Sequence, residues 1–505
     1  MLNEFWKQLK SGSDIRGIAT NDIKNEIVNL TNEVIEKIAY AFSYWSMEQT
    51  NKNHKQIKIA VGHDSRISNE RIKSILLDIF TKVGFTIYDC SLASTPAMFM
   101  TTIDLDCDAA IEITASHHPF NRNGLKFFTK DGGLNECDIE KILQYSQDNI
   151  APNIYNDGSI QTIEYMDIYS NKLKEIIKKG INSNDYDFPL KNFKIVVDAG
   201  NGAGGFYATK VLEPLGADIS NSQFLDPNGM FPNHIPNPEN ENAMDFVIKA
   251  VKNSNADLGI IFDTDVDRAG AVDSNGKEIN RNRLIALASL IAFENNEGAT
   301  IVTDSITSIG LTHFIENKLH AKHHRFKRGY KNVINEAIKL NKENINCPLA
   351  IETSGHAALR ENYFLDDGAY LITKIIIKMV LLKKEGKSFQ DVLSSLEEPL
   401  ETLEIRMPIN NSNFKDYGNK VIGDLNNYAL TQKGWLIEKN NYEGIRINMD
   451  KEHGNGWFLL RLSIHDPIMP LNIESNSPNG AKLILKQILP FLKNYNDIDK
   501  TRILK

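Results

Sequence analysis

The chain has 505 residues, of which 41% are hydrophobic and 24% charged, and its formal net charge is -8 at pH 7. These ordinary globular values exclude wholesale disorder and a fibrous class, and without a block of basic residues nucleic acid is not an expected partner. The length exceeds what one core usually organises and predicts three or four domains.

The first part of the chain alternates helices with short apolar strands. After a loop at Ser11–Gly17 that carries Arg16, apolar residues at helical spacing from Ile27 to Phe42 predict an amphipathic helix. The pattern continues with predicted strands at Ile57–Val61, Phe85–Tyr88 and Asp108–Ile113, and predicted helices at Arg71–Val83 and Met98–Ile103. Such alternation predicts a parallel sheet.

A polar turn follows the last of these strands. It reads Thr114-Ala115-Ser116-His117-His118-Pro119, and Lys126 lies ten residues beyond Ser116. We expect the turn to expose the hydroxyl of Ser116, with proton carriers and a cation within reach of a phosphoryl group. An ordinary polar turn is the alternative, because serine and proline favour turns for backbone reasons.

The pattern restarts after a polar junction at residues 149–158. A strand at Phe193–Asp198 leads through a glycine cluster at Gly200–Gly205 into a predicted helix that ends at Leu215. The glycine spacing fits a dinucleotide site poorly, so we interpret these glycines as helix-entry and close-packing positions. Asp226–Pro238 is expected to be an ordered loop because five of its positions are proline or glycine.

A strand at Leu258–Phe262 runs into three alternating acids, Asp263, Asp265 and Asp267. On an extended segment their carboxylates would face one side and repel unless a cation held them. Oxygen-only ligands favour Mg²⁺ completed by water and a phosphate, and Arg268 in place of the required glycine argues against an EF-hand. A solvated acidic turn is the alternative, although Arg268 is useful mainly if an anion shares the site.

A third unit is predicted from helices at Leu284–Phe293 and Ile309–Asn317 and strands at Thr300–Val302, His323–Phe326 and Leu349–Ile351. Its last strand leads into Glu352, Ser354 and His356, which alternate and could bind a small polar ligand such as a sugar. A capped turn explains these three residues equally well. All three units thus end their last strand in a polar loop, where open α/β sheets bind ligands.

The last hundred residues follow a different pattern. A helix at Asp367–Lys383 and a linker at Glu397–Pro399 precede a predicted strand at Trp457–Ser463 and a final helix at Gly480–Leu492, which together indicate an α+β domain. Here Arg461, Ser463 and His465 alternate and could form a phosphate cradle.

The cysteines and the apolar segments indicate the cellular compartment in which the protein is expected. Four cysteines without paired metal-ligand spacing are too few for a disulfide framework and favour a reducing cytoplasm. The N-terminus lacks the apolar run of a secretory signal, and the longest apolar run is about half of the roughly 20 residues that a spanning helix needs. We expect a cytoplasmic protein without membrane association.

Four loops together resemble those of the alpha-D-phosphohexomutase superfamily. They read TASHHP, DTDVDR, ETSGH and RLSIHDP, stand in the family order, and extend the resemblance over nearly the whole chain. The resemblance implies an α/β fold of three similar mixed α/β domains plus a C-terminal α+β domain around a central cleft. We expect the domains at residues 1–155 (phosphoserine), 156–278 (metal), 279–395 (sugar) and 396–505 (phosphate).

The resemblance also implies a role for each loop. Ser116 would carry a phosphoryl group, and Mg²⁺ would be bound by a phosphoserine oxygen of Ser116 and by Asp263, Asp265 and Asp267. Lys126 or His117 would move protons, and Arg16 and Arg268 would lie near the transferred phosphate. Gly329 and Lys331 match a substrate-facing Gly-x-Lys motif of the family. The expected substrate-binding residues are Lys331, Glu352, Ser354, His356, Arg461, Ser463 and His465.

The implied reaction interconverts hexose 1-phosphate and hexose 6-phosphate through a phosphoserine enzyme and a 1,6-bisphosphosugar, which would also be the activator. Mannose and glucose phosphates are favoured as substrates. Phosphoglucosamine mutase is one alternative, and a catalytically silent sugar-phosphate binding protein is another. A metal phosphatase with Asp263 as nucleophile is a third, but it leaves Arg268 and the serine loop without a role. The oligomeric state is left open.

The chain departs from the family pattern at four positions. His118 replaces an asparagine, Ile351 replaces the glycine before Glu352, and His465 and Asp466 replace threonine and glutamate. We expect His465 to make phosphate affinity stronger when it is protonated, near or below its reference pKa of about 6.5.

Overall fold

The chain divides into two compact units. The computed structural model describes residues 1–294, 296–463 and 466–503. One unit comprises residues 1–284 and 354–389, and the other comprises residues 285–353 and 390–505. Across the residues described, no helix combines the length and the apolar character that a membrane crossing requires.

The first unit opens with an eight-stranded mixed sheet. Its strands are β1 (Lys10–Ser11), β2 (Asp14–Ile18), β3 (Lys58–His63), β4 (Thr86–Leu92), β5 (Ala109–Ile113), β6 (Arg122–Thr129), β7 (Gly132–Gly133) and β8 (Ser159–Thr162). The helices are α1 (Glu4–Leu9), α2 (Asn32–Thr50), α3 (Asn69–Val83), α4 (Thr95–Asp104), α5 (Glu136–Gln147) and α6 (Tyr165–Ile181). The strand order is β1-β2-β6-β5-β3-β4-β8, and β7 pairs with β6.

Two expectations for this region are wrong. The predicted loop around Arg16 is β2, which pairs antiparallel with β6. The predicted strands β3, β4 and β5 pair in parallel as expected, but the antiparallel β2 and β6 make the whole sheet mixed. The predicted helix from Ile27 starts later, because Thr31 caps α2 by accepting a hydrogen bond from the Val34 amide at 3.3 Å, while Ile27 stays exposed. Residues of α2, α3 and α5 and one face of the sheet form the hydrophobic core.

A second sheet follows in the same unit. It contains β9 (Ile195–Asp198), β10 (Leu258–Phe262), β11 (Ala269–Asp273) and β12 (Glu278–Ile279), in the order β12-β11-β10-β9, and helix α7 (Glu241–Ser254) lies between β9 and β10 in sequence. The helix predicted after the glycine cluster is a π-helix, Tyr207–Leu212, followed by a 3-10 turn. A Cβ added to Gly202 would lie 2.6 Å from the Thr264 carbonyl oxygen, which confirms the close-packing role of this glycine.

The chain then enters the second unit and later returns to the first. The elements up to residue 351 are α8 (Arg281–Phe293), β13 (Thr300–Thr303), α9 (Ile309–His313), β14 (Lys322–Arg325), α10 (Tyr330–Lys342) and β15 (Leu349–Ile351). β13 pairs in parallel with both β14 and β15. Back in the first unit, β16 (Ala357–Leu359) and β17 (Leu365–Asp366) pair antiparallel and precede α11 (Gly368–Lys384).

The second unit ends in an antiparallel sheet, which confirms the predicted C-terminal α+β region. Its elements are α12 (Phe389–Val392), β18 (Glu401–Pro408), α13 (Phe414–Ala429), β19 (Trp435–Ile437), β20 (Ile445–Met449), β21 (Gly456–Leu460), β22 (Ile468–Ser475) and α14 (Gly480–Leu492). The strand order is β18-β22-β21-β20-β19, and residues of α13 and α14 complete its core. Because β21 ends at Leu460, Arg461 and Ser463 lie in the loop beyond the strand and do not alternate along it.

The division into four domains at residues 155, 278 and 395 stays a prediction. β8 pairs in parallel with β4 and therefore extends the first sheet beyond residue 155.

Candidate active site

The serine turn lies between β5 and β6. Ser116 has a φ of 51°, in the left-handed region that few non-glycine residues adopt. Its amide donates a hydrogen bond to Thr114 Oγ1 at 2.9 Å, and that hydroxyl donates to Asp64 Oδ2 at 2.7 Å. Ser116 is only 4% exposed, so the expectation of an exposed hydroxyl is wrong. Neighbouring ionic side chains cover it, and the turn presents the hydroxyl to them.

A buried arginine that the sequence analysis missed supports this turn. Arg66 Nη2 donates to the carbonyl oxygens of Ser116 and His118 at 2.5 and 2.6 Å, and its Nη1 donates to that of Pro119 at 2.7 Å. Asp64 in turn accepts a hydrogen bond from the Arg66 amide at 2.8 Å. The available signal was the Asp64-Ser65-Arg66 sequence at the end of β3, because β3 is parallel to β5 and ends at the same sheet edge.

Three buried carboxylates follow β10. One carboxylate oxygen from each of Asp263, Asp265 and Asp267 lies within 4.8 Å of the corresponding oxygens of the other two residues. A turn brings them together, with Val266 at a φ of 67°, so the expected extended segment is wrong although the clustering is observed. In the described part of the chain, Asp265 Oδ1 and Asp267 Oδ1 have no hydrogen-bond partner. Buried oxygen atoms of this kind fit a hard divalent cation.

Two cations neutralise part of this charge. Lys126 Nζ donates to Asp265 Oδ2 at 2.7 Å and to Asp267 Oδ2 at 2.5 Å. Arg268 Nε donates to Asp263 Oδ2 at 2.9 Å, and its Nη2 donates to Ser116 Oγ at 3.1 Å. The Ser116 hydroxyl donates to Asp263 Oδ2 at 3.2 Å. The structure therefore brings together the serine, the lysine, the arginine and the acids that the sequence singled out.

Burial and charge shift the pKa values of this cluster. Burial, and then the charge of Asp267, raises the pKa of Asp263 well above its usual range. Burial also opposes ionisation of Asp267, but the Lys126 ammonium outweighs it and lowers the pKa of Asp267. Arg268 Nη2 donates to His117 Nδ1 at 2.7 Å. Desolvation of the ring and the Arg268 charge lower the pKa of His117 to about 2, so this histidine is neutral and an acceptor.

The remaining predicted residues of the first unit are Arg16, Ser354 and His356. Arg16 stands on β2 opposite Gly124 of β6, and its Nη2 donates to Asp14 Oδ2 at 2.7 Å. His356 Nδ1 lies 2.8 Å from Ser354 Oγ, and its Nε2 lies 3.8 Å from Asp267 Oδ1. Burial lowers the pKa of His356 to about 3. Ser354 and His356 thus adjoin the acidic cluster.

The predicted residues of the second unit form another polar cluster. Glu352 Oε1 accepts a hydrogen bond at 2.6 Å from the amide of Gly329, which has a φ of 113°. Gly329 is the N-cap of α10, and Lys331 lies in the first turn of that helix. The left-handed glycine therefore joins the Gly329–Lys331 segment to the loop that begins at Glu352.

Arg461 belongs to the same unit and is 7% exposed. Its Nη1 lies 3.5 Å from Glu443 Oε1, while Glu443 Oε2 accepts hydrogen bonds from Ser305 Oγ at 2.6 Å and from the Arg328 amide at 3.1 Å. Glu443 and Arg328 follow no recognised sequence pattern and were not predicted as site residues.

Ser463 accepts a hydrogen bond through Oγ from the Asp466 amide at 3.3 Å, and its own amide donates to the Ile468 carbonyl at 2.9 Å. These two bonds join Ser463 to the segment that begins at Asp466. His465 lies outside the described residues, so its expected effect on phosphate affinity stays a prediction.

The fold and the site define an α/β protein with a serine held beside a buried acidic cluster that could bind a metal ion. Sequence profiles for phosphoglucomutase/phosphomannomutase match the chain in family order: alpha/beta/alpha domain I at residues 7–151, domain II at 167–276 and domain III at 280–400. The chain belongs to the phosphoglucomutase/phosphomannomutase family, as its resemblance to the alpha-D-phosphohexomutase superfamily predicted.

Individual proteins show the same relationship. A phosphomannomutase/phosphoglucomutase of Pseudomonas putida is 28% identical over 423 residues, which cover 83% of this chain and 84% of that protein. One from Pseudomonas syringae pv. tomato is 27% identical over 497 residues and covers 95% of each chain. The crystal structure of a phosphoglucomutase/phosphomannomutase family protein from Burkholderia thailandensis matches the fold with a TM-score of 0.78, at 24% identity and 98% coverage of both chains.

Proposed function

We propose that the protein interconverts hexose 1-phosphates and hexose 6-phosphates, preferably of mannose and glucose, through a phosphoserine at Ser116. A 1,6-bisphosphosugar is the intermediate, and the same compound serves as activator by phosphorylating the serine. One observation carries the proposal: Ser116 Oγ lies 3.1 Å from Arg268 Nη2 and 3.2 Å from Asp263 Oδ2, within a cluster that also contains Lys126. A sugar-phosphate binding protein has no need for this arrangement around a hydroxyl.

Asp263, Asp265 and Asp267 are the proposed ligands of Mg²⁺, together with an oxygen of phosphorylated Ser116. Two buried carboxylate oxygens without hydrogen-bond partners among the described residues support this assignment, as does the oxygen-only donor set. When bound, the ion neutralises charge on the phosphoryl group during transfer.

The protein's own cations supply the rest of the stabilisation. A phosphoserine carries about -1.5 to -2 charges at neutral pH, so it needs the guanidinium of Arg268, which already donates to Ser116 Oγ. Arg66 holds the carbonyl groups of the turn and thereby sets the direction of the serine side chain. Arg16, on β2, is proposed to add a further positive charge near the phosphoryl group.

Lys126 is the proposed proton carrier, in preference to His117. The ammonium group bonds two of the acids that surround the serine and has protons to donate. His117 is a poor base because Arg268 donates to its Nδ1 and its pKa is lowered to about 2.

The second unit supplies the proposed residues for substrate recognition. Arg461 Nε is buried without a hydrogen-bond partner in the described residues, so it can donate to a substrate phosphate beside Ser463. In the second unit, Lys331 and Glu352 are the proposed sugar contacts. In the first unit, Ser354 and His356 are the proposed sugar contacts. The structural link between Gly329 and Glu352 supports a common role for their segments.

Intact-protein mass spectrometry tests the proposal. The wild type should gain the mass of one phosphoryl group from a hexose 1,6-bisphosphate and lose it to a hexose monophosphate, because Ser116 is the acceptor and the donor. Ser116→Ala should lose both the phosphate and turnover, while Ser220→Ala, an exposed serine, should retain them.

A wild type that binds hexose phosphate without exchanging phosphate would identify a binding protein instead. Turnover that survives in Ser116→Ala would refute the serine mechanism. The specificity constants for mannose, glucose and glucosamine 1-phosphates decide between the proposed activity and a phosphoglucosamine mutase.

A further inference from the structure

The proline- and glycine-rich loop at residues 226–238, here called the bridging loop, has no role in the mechanism above. It contains neither helix nor strand. The Asn228 amide donates to the Asn201 carbonyl at 2.8 Å, and the Asn201 side chain donates to the Asp226 carbonyl at 2.9 Å and accepts from Asn233 Nδ2 at 2.7 Å. The loop therefore rests on the glycine-cluster turn of the same unit.

His234 fastens the loop to β9. Its Nε2 lies 3.0 Å from Asp198 Oδ1 and 3.1 Å from Asp198 Oδ2, and its Nδ1 lies 3.0 Å from the Ile235 carbonyl oxygen. A carbonyl oxygen can only accept, and an ionised carboxylate can only accept, so both ring nitrogens must carry protons. The histidine is consequently an imidazolium buried against Asp198.

The surroundings of His234 support the charged form. Burial alone would lower the pKa of this histidine, but the hydrogen bond and charge of Asp198 and the bond to Ile235 outweigh it and raise the pKa. The rings of Phe224 and Phe246 pack at 5.4 and 5.6 Å between ring centres. Among the described residues, Asp198 is the charged group that raises the pKa of His234, so it favours the protonated ring.

The same loop touches both arginines that hold Ser116. Asn237 Oδ1 accepts a hydrogen bond from Arg268 Nη1 at 3.4 Å, and the Phe231 ring centre lies 5.2 Å from Arg66 Cζ. A Cβ added to Gly229 would lie 2.4 Å from the Ser65 carbonyl oxygen, so the loop backbone lies directly against the segment that carries Arg66.

We infer that His234 is a positioning residue for phosphoryl transfer: it fastens the bridging loop to β9, so that Asn237 and Phe231 hold Arg268 and Arg66 around Ser116. The inference rests on the proposed function, because positioning matters only if Ser116 exchanges a phosphoryl group. The transferred group would lose alignment if either guanidinium shifted, and small displacements of this kind lower kcat more than they weaken binding.

The variant His234→Gln tests the inference by kinetics. It should lower kcat about tenfold and leave KM within about twofold, since the loop orients the reacting group. In the wild type, kcat should fall as the pH rises through the raised pKa of His234, because the imidazolium loses one of its two bonds; His234→Gln should lack that alkaline decline. His54→Gln is the matched control, because His54 faces Asp157 at 3.6 Å in another part of the unit.

Hydrogen exchange supplies a readout that does not depend on turnover. In His234→Gln, amides of residues 114–122 and 263–268 should exchange faster, while those of β18 should keep their protection. Unchanged kcat and unchanged protection would overturn the inference, as would a loss of protection throughout the first unit, which would show a purely structural role.

Two further measurements keep the test decisive. If His234→Gln does not fold, Asn237→Ala removes the contact to Arg268 without touching the histidine, and its kcat and exchange decide the question in the same way. If the wild type shows no mutase turnover, the proposed function fails, and the exchange of residues 114–122 and 263–268 still decides whether His234 orders the site.

Discussion

The two ionic clusters of the protein differ in how tightly their charges are paired. Around Ser116 the pairs are short: Lys126 Nζ lies 2.7 and 2.5 Å from oxygens of Asp265 and Asp267, and Arg268 lies 2.9 Å from Asp263. Every one of these side chains is buried. Such pairing fixes the groups before substrate arrives, which is what electrostatic stabilisation of a transition state requires.

The cluster around Arg461 is looser. Its guanidinium lies 3.5 Å from Glu443, and Arg328 Nε lies 3.7 Å from Asp304. A charge-assisted hydrogen bond between such groups is about 2.7–2.9 Å long, so the contact between Arg461 and Glu443 is longer than a bond of this kind. Under the proposed function, the tightly paired cluster around Ser116 would carry the chemistry, and Arg461, with its longer contact, would bind an incoming phosphate.

The largest expected effect tests the tight cluster. Asp265→Asn removes one carboxylate charge and should lower kcat about 10²–10³-fold, because the proposed divalent ion loses a ligand and Lys126 loses a partner. The apparent affinity for Mn²⁺ or Mg²⁺, measured by titration calorimetry, should fall in parallel. Asp245→Asn, which changes an exposed acid on α7, should alter neither quantity.

Metal removal extends this test. A chelator should abolish turnover of the wild type, and added Mg²⁺ should restore it. Full activity in the presence of the chelator would show that Lys126 and Arg268 suffice, and the proposed metal role would be rejected.

A smaller effect is expected from the loose cluster. Arg461→Ala should raise KM about 10- to 100-fold with little change in kcat, because a hydrogen bond to a charged group is worth about 1.5–3 kcal/mol. Steady-state kinetics with both hexose monophosphates measures the change. Arg406→Ala is the matched control, since Arg406 is exposed and pairs with Glu404 at 2.8 Å.

The decisive result is whether Arg461→Ala changes KM or kcat. If Arg461→Ala lowered kcat and left KM unchanged, the loose pairing would not mark a binding site, and the contrast between the clusters would lose its meaning.

Elements with continuous apolar cores were predictable from the sequence. β10, β15 and α14 have the predicted boundaries. The two strands are apolar runs bounded by turn residues, and α14 carries its buried apolar residues at helical spacing. β2 and β6 were missed as strands because they carry polar residues beside the site: the half-buried Arg16 and the buried Asn123 and Lys126. Local pattern therefore failed where the sheet serves the chemistry.

The loops of the site were identified by composition, but their shape was not. Ser116 and Val266 adopt left-handed backbone conformations that neither residue type suggests, and tertiary contacts impose them. Arg66 was missed because its partners are backbone carbonyl groups at least fifty residues away, and no local pattern records such bonds.

The smallest expected effect concerns Glu112, an acid at the edge of the tight cluster. It stands between Gly62 on β3 and Lys126 on β6, is fully buried, and neither of its carboxyl oxygens has a hydrogen-bond partner among the described residues. Burial and the charge of Asp64 raise its pKa well above 4.5. A buried polar group without a partner costs about 1–3 kcal/mol, so Glu112→Met should stabilise the protein.

The raised pKa of Glu112 determines how the stabilisation by Glu112→Met should change with pH. Because the folded pKa of Glu112 is raised, the folded chain binds an extra proton above pH 4.5, and stability falls as the pH rises toward that raised value. The gain in melting temperature of Glu112→Met, about 2–5 °C by calorimetry, should therefore be larger at pH 8 than at pH 5. Glu140→Met, at an exposed acid paired with Lys10, should show no such trend. A variant that melts at a lower temperature than the wild type would mean that Glu112 stabilises Lys126 and that the tight cluster extends one residue further along β5.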